Sequence, residues 1–255
     1  MYYLFDGTYS GFLCCVFESF ERKEFDVIPL TGSEHQNSFF QNSRTITTHP
    51  EKAKRVLLGI QKRVSREKAV DFYKVFLSED RKAWLASYKI IVDLFNTSKQ
   101  VLQNYGNEST LYFSKMLQKV GRESHRMEAF VRFSKTADGG YYAVVEPDFN
   151  VLPLIADFFK KRYADQQWLI YDIKRKYGIL YDKVNVSEVQ EMPLDKHAVA
   201  AQHNIITLDA NEEKFQRLWQ KYFTSTNIES RKNTKLHLQH VPKRYWKYLT
   251  EKKVG

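Results

Sequence analysis

Apolar positions along this chain recur first at helical and later at strand spacing, and the change predicts where its elements lie. "MYYLFD" opens as a short aromatic strand; after Gly7 and Thr8, residues Phe12, Val16 and Phe20 recur at helical spacing, predicting a strand and then a helix. Residues 31 to 43 are polar and turn-rich, "RTITTH" reads as a strand, and Pro50 opens the helix "PEKAKRVLLGIQKRV". Amphipathic helices follow over 66 to 77, 80 to 95 and 109 to 127. After residue 129 the period falls toward 2, and "AFVRFS", the turn "KTADGG" and "YYAVVEP" predict a hairpin. Then come the helix "NVLPLIADFFKKRYA", three closely spaced strands "WLIYDI", "YGILYD" and "VNVSEV", and a helix over 211 to 223. Parallel neighbours need long crossovers, so closely spaced strands predict antiparallel pairing. The expected fold is α+β, an antiparallel sheet packed with several helices. It forms one domain over 1–255, with 1–75 as a candidate N-terminal subdomain and 76–255 as the main body.

Composition adds a direction. Forty Lys and Arg against thirty Asp and Glu give a net charge of +10, which suits an anionic partner such as nucleic acid or an acidic protein. The two cysteines, Cys14 and Cys15, are adjacent in an apolar run, so neither a disulfide framework nor a cysteine metal site is expected. "MYYLFDG" has no basic start or signal core, and no apolar run reaches 18 residues, so the expectation is a cytoplasmic protein without a membrane segment. Phosphate-loop, dinucleotide and serine-hydrolase signatures are absent, so no cofactor and no named reaction is expected.

The densest chemistry lies in "VGRESHRMEAFVRFS". Phe113, Met116, Leu117, Val120 and Met127 form one helical stripe; Arg122, His125 and Arg126 share a face roughly opposite it, where Glu123 and Glu128 partly neutralise them. That arrangement fits either a solvated helix back or an anion site, in which two guanidiniums grip phosphate and His125 moves a proton. Arg132, alternating with Val131 and Phe133 in the following strand, is a further cation or an ion-pair partner for Glu146. Glu146 and Asp148 bracket Pro147 at a strand exit, where catalytic acids often sit and where Asp148 or Asn150 can equally cap the next helix.

The stretch 231 to 253 carries +7 of the total +10. Its Arg231, Lys235, Lys243 and Arg244 interleave with Tyr245 and Trp246, a pattern that suits cations on a nucleic-acid backbone and rings on bases, or rings that anchor the segment to the domain. His237 and His240, three apart, are too few for a metal site, and none is expected.

Together "VGRESHRMEAFVRF", "YYAVVEPDFNVLPLIADFFKKRYADQQWLIYD" and "VPKRYWKYLTE" resemble a bacterial family of unassigned molecular function grouped under DNA metabolism and DNA repair. The matching positions are Arg122, Glu123, His125, Arg126, Met127, Phe130, Arg132 and Phe133, then Glu146, Pro147 and Asp148, and finally Pro242, Arg244, Tyr245 and Trp246. The resemblance implies a setting beside a radical-SAM protein and kinship with a region fused to uracil-DNA glycosylase-like domains. This chain has neither a cysteine triad for the cluster nor a glycosylase water-activating loop, so a partner supplies any such chemistry. The leading expectation is a DNA-repair accessory protein that binds nucleic acid through Arg122, Arg126, Arg132, Arg231, Lys235, Lys243, Arg244, Tyr245 and Trp246. The alternatives are an enzyme with His125 or Glu146 as general acid or base, and a module whose basic tail docks on the radical-SAM protein.

Overall fold

The computed structural model describes residues 1–32, 42–97, 101–190, 208–226, 238 and 240–252. They divide into two compact units, Met1–Arg122 and Glu123–Gly255.

In the first unit, β1 (Tyr2–Phe5) pairs in parallel with both β2 (Ile28–Thr31) and β3 (Ser43–Thr45). Parallel neighbours require a crossover, and α1 (Tyr9–Arg22) supplies the one from β1 to β2. Thr8 caps α1 by accepting from the Gly11 amide at 2.9 Å, and Lys23 ends it in the left-handed region at φ 58. Three further helices, α2 (Pro50–Val64), α3 (Arg66–Phe76) and α4 (Arg81–Asn96), complete the layer, and Phe5 sits 5.4 Å from Trp84 in the core. Cys14 and Cys15 are both free and buried. Burial pushes the Cys15 thiol up, so it is an inert core side chain. The boundary between the units falls within α5 (Glu108–Phe130), whose first turn is capped by Asn107 through the Ser109 amide at 2.8 Å.

The second unit holds a five-stranded sheet in the order β4-β5-β6-β7-β8: Ser134–Lys135, Tyr141–Val145, Trp168–Asp172, Tyr177–Tyr181 and Val186–Gln190. The three closely spaced strands pair antiparallel, as does the short hairpin of β4 and β5. The expectation of a wholly antiparallel sheet needs correction, because β5 and β6 are parallel. The reason is α6 (Leu152–Arg162), which carries the chain back to the end of the sheet where β5 began. The sheet of the first unit is parallel throughout. The chain is therefore a mixed α/β protein.

Residues 129 to 133 form no strand: α5 runs to Phe130 and β4 begins only at Ser134. The core of this unit gathers Trp168, Ile170, Phe159 and Tyr181, with the Trp168 and Tyr181 rings 5.5 Å apart. Two segments close it: α7 (Glu212–Thr226) and the 3-10 turns Lys243–Tyr248 and Thr250–Lys252. No helix among the described residues is long and apolar enough to cross a membrane.

Candidate functional site

Glu123 organises the second unit's polar cluster. Val120, Glu123 and Met127 lie on one helical face, so the carboxylate enters the core with its apolar neighbours and is only 1% exposed. This corrects the solvated position expected for it. A buried carboxylate must be paired and hydrogen-bonded, and Glu123 meets both conditions. Its Oε1 accepts from the Tyr245 hydroxyl at 2.5 Å and the Asp148 amide at 2.8 Å. Its Oε2 accepts from Arg244 at 3.3 Å and lies 3.8 Å from Arg126.

The turn Lys243–Tyr248 is thereby fixed to the end of α5. Tyr245 is buried, its ring 5.5 Å from Phe130, and burial followed by the Glu123 carboxylate pushes its hydroxyl pKa up. Arg244 reaches Asp148 at 2.6 Å as well as Glu123. Burial works against its charge, yet Tyr245, Asp148 and Glu123 together raise its pKa, so it stays a cation. Trp246 is half-buried and donates through Nε1 to the Val241 carbonyl at 3.0 Å.

The Glu-Pro-Asp element is held from the other side by the β6–β7 turn. Asp172, fully buried, accepts from Arg175 at 2.8 Å; burial is the larger influence and raises its pKa despite that guanidinium. Arg175 also donates to the Pro147 and Asp148 carbonyls, each at 3.1 Å. Glu146 pairs with Lys247 and accepts from the Tyr248 hydroxyl at 2.7 Å. The Lys247 bond, outweighing burial, lowers the Glu146 pKa, so this group is a settled anion with little basicity near neutral pH. Neither Asp148 nor Asn150 caps α6: the cap position is Val151, without a side-chain bond, and Asn150 instead accepts from the Tyr177 hydroxyl.

The other expected residues separate into two groups. Arg132 does not pair with Glu146; it grips Glu251 through Nε at 3.3 Å and an NH2 group at 2.8 Å, because it leaves the end of α5 and lies on no strand. His125 is 86% exposed and stands 3.6 Å from Glu128. Arg122 and Lys243 are exposed. Arg231, Lys235 and His237 lie outside the described residues.

The network thus brings Glu123, Arg126, Glu146, Asp148, Arg244 and Tyr245 together and draws in Lys247, Tyr248, Arg175 and Asp172, which the sequence reading did not single out as site residues. Glu123 was detectable from its i+3 and i+4 spacing between Val120 and Met127. Asp172 and Arg175 carry no comparable signal, since their role depends on the parallel β5–β6 pairing.

Residues 81–251 match a family model described as a domain of unknown function, DUF4130. The chain belongs to the DUF4130 family. No curated protein and no solved structure matches it. The DUF4130 region contains the entire network around Glu123 and begins at α4, so β1 to α3 precede it.

Proposed function

We propose that this DUF4130 protein binds nucleic acid in DNA repair or DNA metabolism, as an accessory to a partner enzyme of the radical-SAM class. The observation that supports the reading is the pinned turn Lys243–Tyr248. Buried Tyr245 and Leu249 anchor it, while Lys243, Arg244 and Lys247 stay exposed. An exposed cation on a fixed turn loses less freedom on meeting a phosphate than one on a loose tail, so more of the electrostatic gain remains. Tyr245 acts as the anchor of this surface; Lys243 and Lys247 are its phosphate-binding cations, and the overall +10 charge supplies long-range attraction. The radical-SAM setting comes from the resemblance of the motif segments.

The test is binding of purified protein to labelled single- and double-stranded DNA at low salt, beside Lys243→Gln/Lys247→Gln. The double variant weakens binding uniformly across sequences and makes the log-log salt dependence shallower by about 2, roughly 1 for each phosphate that is no longer neutralised. Unchanged affinity and slope in the variant would remove this turn from the interface. An absence of binding to either form of DNA would end the reading.

A further inference from the structure

A second concave feature of the second unit lies between α7 and the β4 edge. Its construction begins at Glu212, whose carboxylate accepts from the Lys135 amide and from the Gln216 side chain, each at 3.0 Å. Asp209 adds a backbone bond to the Lys135 carbonyl at 3.0 Å and an ion pair to Lys135 Nζ at 3.3 Å. Farther along α7, Gln220 donates to the Thr250 carbonyl at 3.0 Å. The helix is therefore tied down at both places, and the stretch between them borders a groove of about 830 Å³. That volume falls within the range of small-ligand sites, roughly 300 to 1,000 Å³.

The lining is mainly apolar and rich in flat rings, with Phe133, Tyr141, Phe215 and Leu218 exposed to the groove beside Arg132 and Lys135. Phe215 and Leu218 remain 59% and 51% exposed. Burial normally removes such side chains from water, and these two sit on an element that is otherwise well fastened. Three aromatic rings, a carboxamide and a cationic rim form a recognisable combination. Rings stack on the faces of bases, the carboxamide of Gln216 can both donate to and accept from a base edge, and the cations attract the backbone that carries the base.

We propose that this groove receives an unstacked nucleobase from a single strand, a proposal that rests on the nucleic-acid reading above and assigns its aromatic contact. Phe215 is the stacking ring and Gln216 the edge-reading group. An apolar peptide or an acyl chain would use the same walls but would gain nothing from the cationic rim or from the chain's +10 charge. Duplex DNA, with its bases already stacked, does not enter the groove.

Two labelled strands of equal length separate the outcomes by fluorescence anisotropy: oligodeoxythymidine and an abasic strand with the same backbone. Wild-type protein prefers the thymidine strand by roughly 5- to 150-fold, the span expected for stacking one base. Phe215→Ala removes that preference and leaves affinity for the abasic strand unchanged. Phe215→Leu keeps an apolar side chain without a flat ring and loses most of the preference, which also guards against a misfolded alanine variant. Equal binding of both strands by wild type overturns the groove proposal while the nucleic-acid reading stands. A preference that survives in both Phe215 variants places the base elsewhere and likewise overturns it. Failure to bind either strand at low salt removes both proposals.

Discussion

Tyr245 and Glu123 show how one hydroxyl and one carboxylate fix a segment of chain. The Tyr245 hydroxyl donates to Glu123 from a buried position, so Tyr245→Phe removes a bond to a charged acceptor while keeping the ring against Phe130. The expected loss of stability is about 1.5 to 3 kcal/mol, read as a lower urea midpoint at unchanged slope. Nucleic-acid affinity per folded molecule stays the same, because the hydroxyl faces the protein; a folded variant unable to bind would contradict the anchor role. Glu146 yields a pH-dependent counterpart. Its pKa in the folded chain lies below the ordinary glutamate value of 4.5, chiefly through Lys247. The stabilisation is therefore present in full above that value and is lost as pH falls through the lower folded pKa. Glu146→Gln is expected to be less stable than wild type by about 0.5 kcal/mol at neutral pH, the scale of a partly exposed pair, with the gap closing under acid. Denaturation curves at both ends of that range check it, and a gap independent of pH would contradict it. Much of this chemistry was legible: the sequence motifs containing Arg126, Arg132, Glu146, Arg244 and Tyr245 fall together or beside one another. The partners were less so. Arg132 pairs with Glu251, 119 residues away, and no local period encodes such a match.

At the scale of elements, the hydrophobic pattern located the long helices within a few residues and the antiparallel strands β6 to β8 in order. It failed where pairing depends on what lies between strands. The β5–β6 pair is parallel because α6 intervenes, and β2, with its internal Pro29, gave no alternating signal to read. The start of α1 offers an element-scale test. A Cβ on Gly11 would lie 2.3 Å from Asp6 Oδ1 and 2.9 Å from Thr48 Oγ1, and Asp6 is already bonded to Thr8 and Thr48. Gly11→Ala therefore forces this joint between β1 and α1 to open, at an expected cost of about 1 to 3 kcal/mol. Thermal unfolding should report a lower midpoint. An unchanged midpoint would show that Asp6 swings aside without loss.

For the whole molecule, charge and fold act together. The chain carries +10, but in the described part of the second unit many cations are occupied: Arg132 by Glu251, Arg244 by Glu123 and Asp148, Arg175 by Asp172. These pairs build a fixed surface. On it Lys243 is exposed, and Lys247 stays open to solvent beside Glu146, so both can meet an anionic partner. The proposed interface is thus a shaped one, with phosphate-binding cations on the terminal turn and flat rings along α7. The most direct measurement is the salt dependence of duplex-DNA affinity by the intact protein. Release of counterions from about five phosphates predicts a log-log slope near −4.5. A slope near zero, or no binding at low ionic strength, would contradict the account.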